Sequence, residues 1–127
     1  MLIIKIMEAR GFTKFFRSTR TRFQAIDFGC FDVVGIRPRD ESGEPTTWYA
    51  SSKTNGGYTH AHLDELRRFR LLFAHSHDIV ELFDWRDAAW KKIKGGHGKK
   101  LLQPKTARVM TFEEKGVKTW EFQQKSA

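Results

Sequence analysis

The spacing of apolar positions changes period several times along the chain, and the changes mark out elements. Within residues 2–10, Leu2, Ile3, Ile6 and Met7 recur at helical spacing and Gly11 follows where a helix would end, which predicts a short first helix. Residues 12–19 alternate through Lys14, Phe15, Phe16 and Arg17, predicting a strand that passes into a polar turn at Arg20 and Arg22. Residues 31–36 (FDVVGI) carry the clearest strand pattern. Residues 38–45 (PRDESGEP) have the Pro, Asp, Ser and Gly content of a loop, and residues 46–53 (TTWYASSK) read as a returning strand that Asn55, Gly56 and Gly57 break. Leu63, Leu66, Phe69, Leu72 and Phe73 predict an amphipathic helix over 62–73, ringed by Arg67, Arg68 and Arg70. Residues 78–85 predict a fourth strand, residues 91–105 a flexible basic excursion, and residues 107–112 with 117–122 a closing strand pair. The expected fold is α+β (mixed α/β): a central mixed sheet flanked by helices, in a single domain over residues 1–127.

Composition agrees with one core. Of 127 residues, 39% are apolar and 13% aromatic, enough large side chains to bury an interior despite 30% charged residues. Cys30 stands alone, which excludes an intrachain disulfide or a thiolate metal cluster and reads as a small buried side chain. No apolar run approaches the roughly 18 residues that span a bilayer, and no secretory pattern opens the sequence. The expectation is a cytoplasmic protein with no membrane partner.

Charge changes the picture more. The formal net charge is +8, and residues 88–112 contain no acid while Lys91, Lys92, Lys94, Lys99, Lys100, Lys105 and Arg108 supply positive charge. Such a segment repels itself unless a polyanion lies nearby, so nucleic acid is the first partner to consider, against the alternative of a solvated basic loop. A membrane surface is disfavoured because the segment lacks an apolar helical face.

Aligning the two strands around the 38–45 loop as an antiparallel hairpin sets Asp32 opposite Ser51, Val34 opposite Tyr49 and Ile36 opposite Thr47. Asp32, Ser51 and Lys53 then share one sheet face. The run GCFDVVGI, a hairpin, SSK ending a strand and a following helix resemble the PD-(D/E)XK nuclease core, and within that superfamily the Holliday junction resolvases of archaea and phages. The resemblance covers about residues 2–85 and implies a restriction-endonuclease-like core, a homodimer, and Mg²⁺ or Mn²⁺ held by acids on the second and third core strands. It implies hydrolysis of phosphodiester bonds in DNA, four-way junctions included, as in DNA recombination. In those enzymes an acid-x-Lys ends the third strand; here the acid is replaced by Ser51. Some restriction endonucleases of the superfamily supply the missing acid from the following helix, and Glu65, at the margin of that helix's apolar face, can edge toward the sheet while Asp64, nearly opposite the face, cannot. The resemblance thus makes Asp32, Ser51, Lys53 and Glu65 the catalytic set, with Asp32, Glu65, Ser52 and Glu8 around the metal. Phosphate contacts fall to Arg17, Arg20, Arg22, Lys91, Lys92, Lys94, Lys99 and Lys100. The rival expectation is a catalytically inactive nucleic-acid-binding domain that keeps this fold and has lost metal with the missing acid.

Other residues have plainer readings. Glu8 is also explained as a surface acid on a short helix, and Asp27 as a turn former. His60 with His62 and His75 with His77 form H-x-H pairs without a third ligand at a recognisable spacing, so loop and helix-end histidines are the simpler reading. Trp48, Trp85, Trp90 and Trp120 are expected in the core or at a dimer interface.

Overall fold

The computed structural model describes residues 2–20, 25–26, 31–39, 46–86, 90–92, 99–101 and 105–124. In chain order the elements are α1 (Leu2–Ala9), β1 (Lys14–Arg17), β2 (Thr19–Arg20), β3 (Ala25–Ile26), β4 (Val33–Arg37), β5 (Thr46–Thr54), α2 (His60–Leu72), β6 (Ile79–Trp85), β7 (Trp90–Lys92), β8 (Lys99–Leu101), β9 (Thr106–Glu113) and β10 (Gly116–Gln123). Six strands form one mixed sheet in the order β1-β4-β5-β6-β9-β10. Its first three strands are an antiparallel meander, α2 crosses over, and β6 returns parallel to β5. The fold is therefore α+β, a six-stranded mixed sheet with two helices.

Strand alternation divides the core into two layers. On one face Ile3 and Met7 of α1 pack with Phe12, Val33, Trp48, Ala50, Phe83, Trp85 and Val109. Gly35 is required there: a β-carbon at that position would stand 2.7 Å from the Met7 sulfur. On the other face Leu66 of α2 packs with Phe31, Val80, Leu82 and Phe112, and Phe69 sits edge-on to Phe31 and Tyr49, each ring 4.7 Å away. α1 stops before Gly11, whose φ of +89° suits glycine, and α2 is capped by Thr59, whose hydroxyl accepts from the His62 N–H at 3.1 Å.

The strand pairing expected for β4 and β5 is the one observed, with Val34 opposite Tyr49 and Ile36 opposite Thr47. The closing pair is present as β9 and β10. Four expectations change. Arg20 begins no open turn but lies in β2, which pairs with β3. The basic excursion contains a two-stranded ribbon, β7 with β8, in which Lys91 stands opposite Lys100 and Lys92 opposite Lys99. Phe73, expected on the buried face of the second helix, is its C-cap residue and 69% exposed, while Arg70, expected at the surface, is buried. The Arg70 guanidinium turns inward because it donates to the main-chain oxygens of His75 at 2.6 Å and Ser76 at 3.0 Å, closing the turn into β6. Trp85 belongs to the chain's own core, so it is not surface for a second copy; Trp48 is likewise fully buried, and Trp120 is half-buried against that core. Arg22, Asp27, Cys30 and Lys94 lie outside the described residues.

Candidate active site

β4 and β5 run antiparallel, so the start of β4 and the end of β5 meet at one end of the sheet. Asp32 sits just before β4 with its main chain pinned on both sides: its N–H donates to the Ala50 oxygen at 2.9 Å, and its own carbonyl accepts from Ser18 N–H at 2.8 Å. Its carboxylate Oδ2 accepts from the Ser52 N–H at 2.7 Å. The acid on one strand is thereby fixed to the main chain in the middle of the S-S-K run on the next. By alternation Asp32, Ser51 and Lys53 lie on the α2 face.

Ser51 is fully buried, and its Oγ lies 3.0 Å from Nε2 of His62 in the first turn of α2. Sealed from solvent, Ser51 ties β5 to α2. Sequence spacing pairs His62 with His60 and reads both as loop or helix-end histidines, whereas the contact that His62 makes runs to Ser51 on another element. Burial, and then the positive charge of Lys53, hold the imidazole pKa below its ordinary value, while the negative charges of Glu65 and Asp32 act in the opposite sense. Four charged or titratable groups from β5, α2 and the start of β4 thus share one electrostatic neighbourhood.

Glu65 and Asp64 are both exposed on α2, and it is Glu65 whose charge is felt at His62. Ser52 contributes its N–H to Asp32, but its hydroxyl turns to the α1 side and accepts from the Trp85 indole N–H at 3.1 Å. Its side chain is therefore no metal ligand in this arrangement. Glu8 is not brought to the site either. It is exposed on α1, whose final turn leads to Thr13 bonded to Ile36, the far end of β4 from Asp32. Arg17 is exposed on β1 opposite Val33, a neighbour of Asp32 in sequence but on the other face.

A third carboxylate was hidden by its pattern. Asp84 of β6 stands beside Lys53 in the parallel register and is fully buried. Its Oδ1 accepts from the Gly56 N–H at 2.8 Å, while Oδ2 is ion-paired with Arg86 Nε at 2.9 Å without a hydrogen bond of its own. It clasps the turn after β5, where Asn55 and Gly56 take positive φ, and so shapes the floor of the site.

Among the described residues no three His, Cys, Asp or Glu side chains gather as a ready-made metal cage. The oxygen donors that remain, Asp32 and Glu65, suit Mg²⁺ or Mn²⁺ of the kind held by one or two carboxylates, waters and the substrate's own phosphate. They do not suit a zinc site, which needs more nitrogen or sulfur ligands. No helix among the described residues is long and apolar enough to cross a membrane. Compared with known proteins, the chain matches no family model, no curated protein and no solved structure.

Proposed function

We propose that this protein is a metal-dependent DNA endonuclease with a restriction-endonuclease-like core, cutting phosphodiester bonds in branched DNA such as Holliday junctions. The observation that carries the reading is the Asp32 carboxylate bonded to Ser52 N–H at 2.7 Å, which joins an acid at the head of one strand to the Lys53 end of its neighbour. The element order supports it: a helix, three antiparallel strands, a crossover helix and a parallel strand follow the sequence that the nuclease resemblance implies.

Asp32 and Glu65 would hold the divalent ion. Bound there, it supplies an acidified water and neutralises charge developing on the phosphate. Lys53 orients the phosphate and offsets the same charge with a fixed ammonium. The Ser52 N–H holds the Asp32 carboxylate in one orientation, and His62, anchored on Ser51, fixes the first turn of α2 one helical turn ahead of Glu65. Symmetric incision of two strands calls for two copies, so the reading includes a homodimer, and a DNA substrate places the activity inside the cell.

The experiment is cleavage of labelled junction, flap and duplex DNA during a Mg²⁺ and Mn²⁺ titration, with sedimentation to count copies. Metal-dependent cutting that Asp32→Asn removes supports the reading. The burial of Ser51 against His62 favours a second reading, a nucleic-acid-binding domain of this fold without activity; junction binding with no cleavage in either metal would establish that one.

A further inference from the structure

The ribbon β7 and β8 is the connection between β6 and β9, and it joins the sheet at the end that carries the site. Lys53 and Thr54 pair with Asp84 and Trp85 there, and the Arg86 N–H donates to the Thr106 oxygen at 3.0 Å, closing the root of the ribbon. Its register sets Trp90 opposite Leu101 at the root, then Lys91 opposite Lys100 and Lys92 opposite Lys99. Residues opposite one another in an antiparallel pair share a face, and successive rungs alternate faces. One face therefore takes the Lys91 and Lys100 positions, and the other takes Lys92 and Lys99. Directly opposed like charges destabilise a strand pair. Residues 88–112 hold no acid of their own.

A basic ribbon that lay on a flat anionic surface, a membrane or the outside of a duplex, would need lysine on one face only. Charge on both faces suits a ribbon with phosphates on either side of it, which is the situation inside a groove. The major groove of B-form DNA is wide enough for a two-stranded ribbon, whereas the minor groove is narrow and the major groove of A-form RNA is deep and closed. We propose that β7 and β8 form an arm that enters the major groove of duplex DNA, at the end of the sheet that carries Asp32 and Lys53. The inference rests on the nucleic-acid part of the function proposed above, and it adds which form of nucleic acid is gripped and from which side.

The test uses the full chain in buffer free of divalent ions, with anisotropy of labelled duplex DNA and duplex RNA of the same sequence across a salt series. The paired variants Lys91→Ala with Lys100→Ala, and Lys92→Ala with Lys99→Ala, are compared, and circular dichroism and melting verify that each remains folded. Each pair should flatten the slope of log affinity against log salt by about 1.8 on DNA, two phosphate contacts in each case. Neither should change the slope on RNA. Glucosylated hydroxymethylcytosine, which fills the major groove, should weaken the unmodified protein and leave the fourfold variant unaffected. A change from one pair alone would mean that the ribbon lies on a surface, and no change from either would mean that it does not touch DNA; both overturn the arm. Equal effects on RNA, or indifference to groove filling, overturn it as well. Cleavage in Mg²⁺ is scored separately: a protein that binds through the ribbon but never cuts defeats the nuclease reading and keeps the arm, while one that cuts with unchanged slopes defeats only the arm.

Discussion

Two polar clusters interrupt the apolar layers, one on each face of the same sheet, and they are built to opposite ends. On the α1 side Glu81 is 3% exposed and its Oε2 accepts from the Thr111 hydroxyl at 2.6 Å, which in turn accepts from the Trp120 indole N–H at 2.9 Å. Burial pushes the Glu81 carboxyl above the usual carboxylate range, against the opposing pull of the Thr111 bond and the Arg10 charge. On the α2 side Asp32 and Lys53 are half-buried at strand ends, with Glu65 exposed across from them. The first cluster is buried within the sheet; the second opens toward solvent at its edge. Glu81, in the middle of its strand, serves the fold, whereas Asp32 and Lys53 stand at strand ends that solvent reaches.

The contrast breaks most visibly in activity. Asp32→Asn keeps an oxygen to accept the Ser52 N–H, so folding should persist while metal-dependent cleavage falls at least about a hundredfold. Lys53→Ala and Glu65→Ala should fall as far, whereas Asp64→Ala, one residue away, should cut normally; gel assays on labelled junctions measure all four. Loss of folding in Asp32→Asn would move that cluster into the structural class.

Glu81 should show the reverse, with its effect in stability. Glu81→Ala strands the Thr111 hydroxyl in the interior and should cost about 1–3 kcal/mol in urea unfolding. Glu81→Gln separates the charge from the hydrogen bond. Because the folded carboxyl binds its proton more tightly than the unfolded one, wild-type stability from this group is fully present below the unfolded pKa and is lost as pH rises through the folded pKa. Relative to Glu81→Gln, the wild type should therefore lose stability across that rise, and a constant difference between the two would show that Glu81 is not the group responsible.

The smallest effect sharpens the neighbourhood of the site. NMR titration of His62 should give a midpoint below about 6.5, the ordinary value. Lys53→Ala should raise it, and Glu65→Gln or Asp32→Asn should lower it further. A midpoint indifferent to all three would mean that these side chains do not share one field.

Much of this was readable from the residues, for physical reasons that also explain the misses. The alternation in 31–36 and 46–53 was strict enough to set the pairing of β4 with β5, because a slip by one residue would send every apolar side chain to the wrong face. Arg70 departs from its sequence pattern because a helical arginine normally faces water, and nothing local announces that the turn at His75 and Ser76 needs donors. The burial of Glu81 and Asp84 is not legible in the sequence because a polar residue in an alternating strand reads as outward, whereas β6 lies at the centre of the sheet with a packed layer on each side. His62 was hidden because its partner, Ser51, is on another element. The β7 and β8 ribbon carries a pattern of lysine and glycine with little apolar content, so no burial signal marks it as paired.

The outer strands of the sheet carry one more consequence. Among the described residues its rims are β1, four residues long with Lys14 and Arg17 at its two ends, and β10, where Lys118 lies 3.5 Å from Glu113 and Arg108 Nε lies 3.4 Å from Glu121. Another polypeptide adding itself as a further strand would have to align against these charges, which discourages sheet-to-sheet growth and keeps unpaired main-chain groups from seeding fibrils. That protection is electrostatic and shrinks as salt shortens the screening length, so the chain should be least prone to aggregate when refolded at low ionic strength.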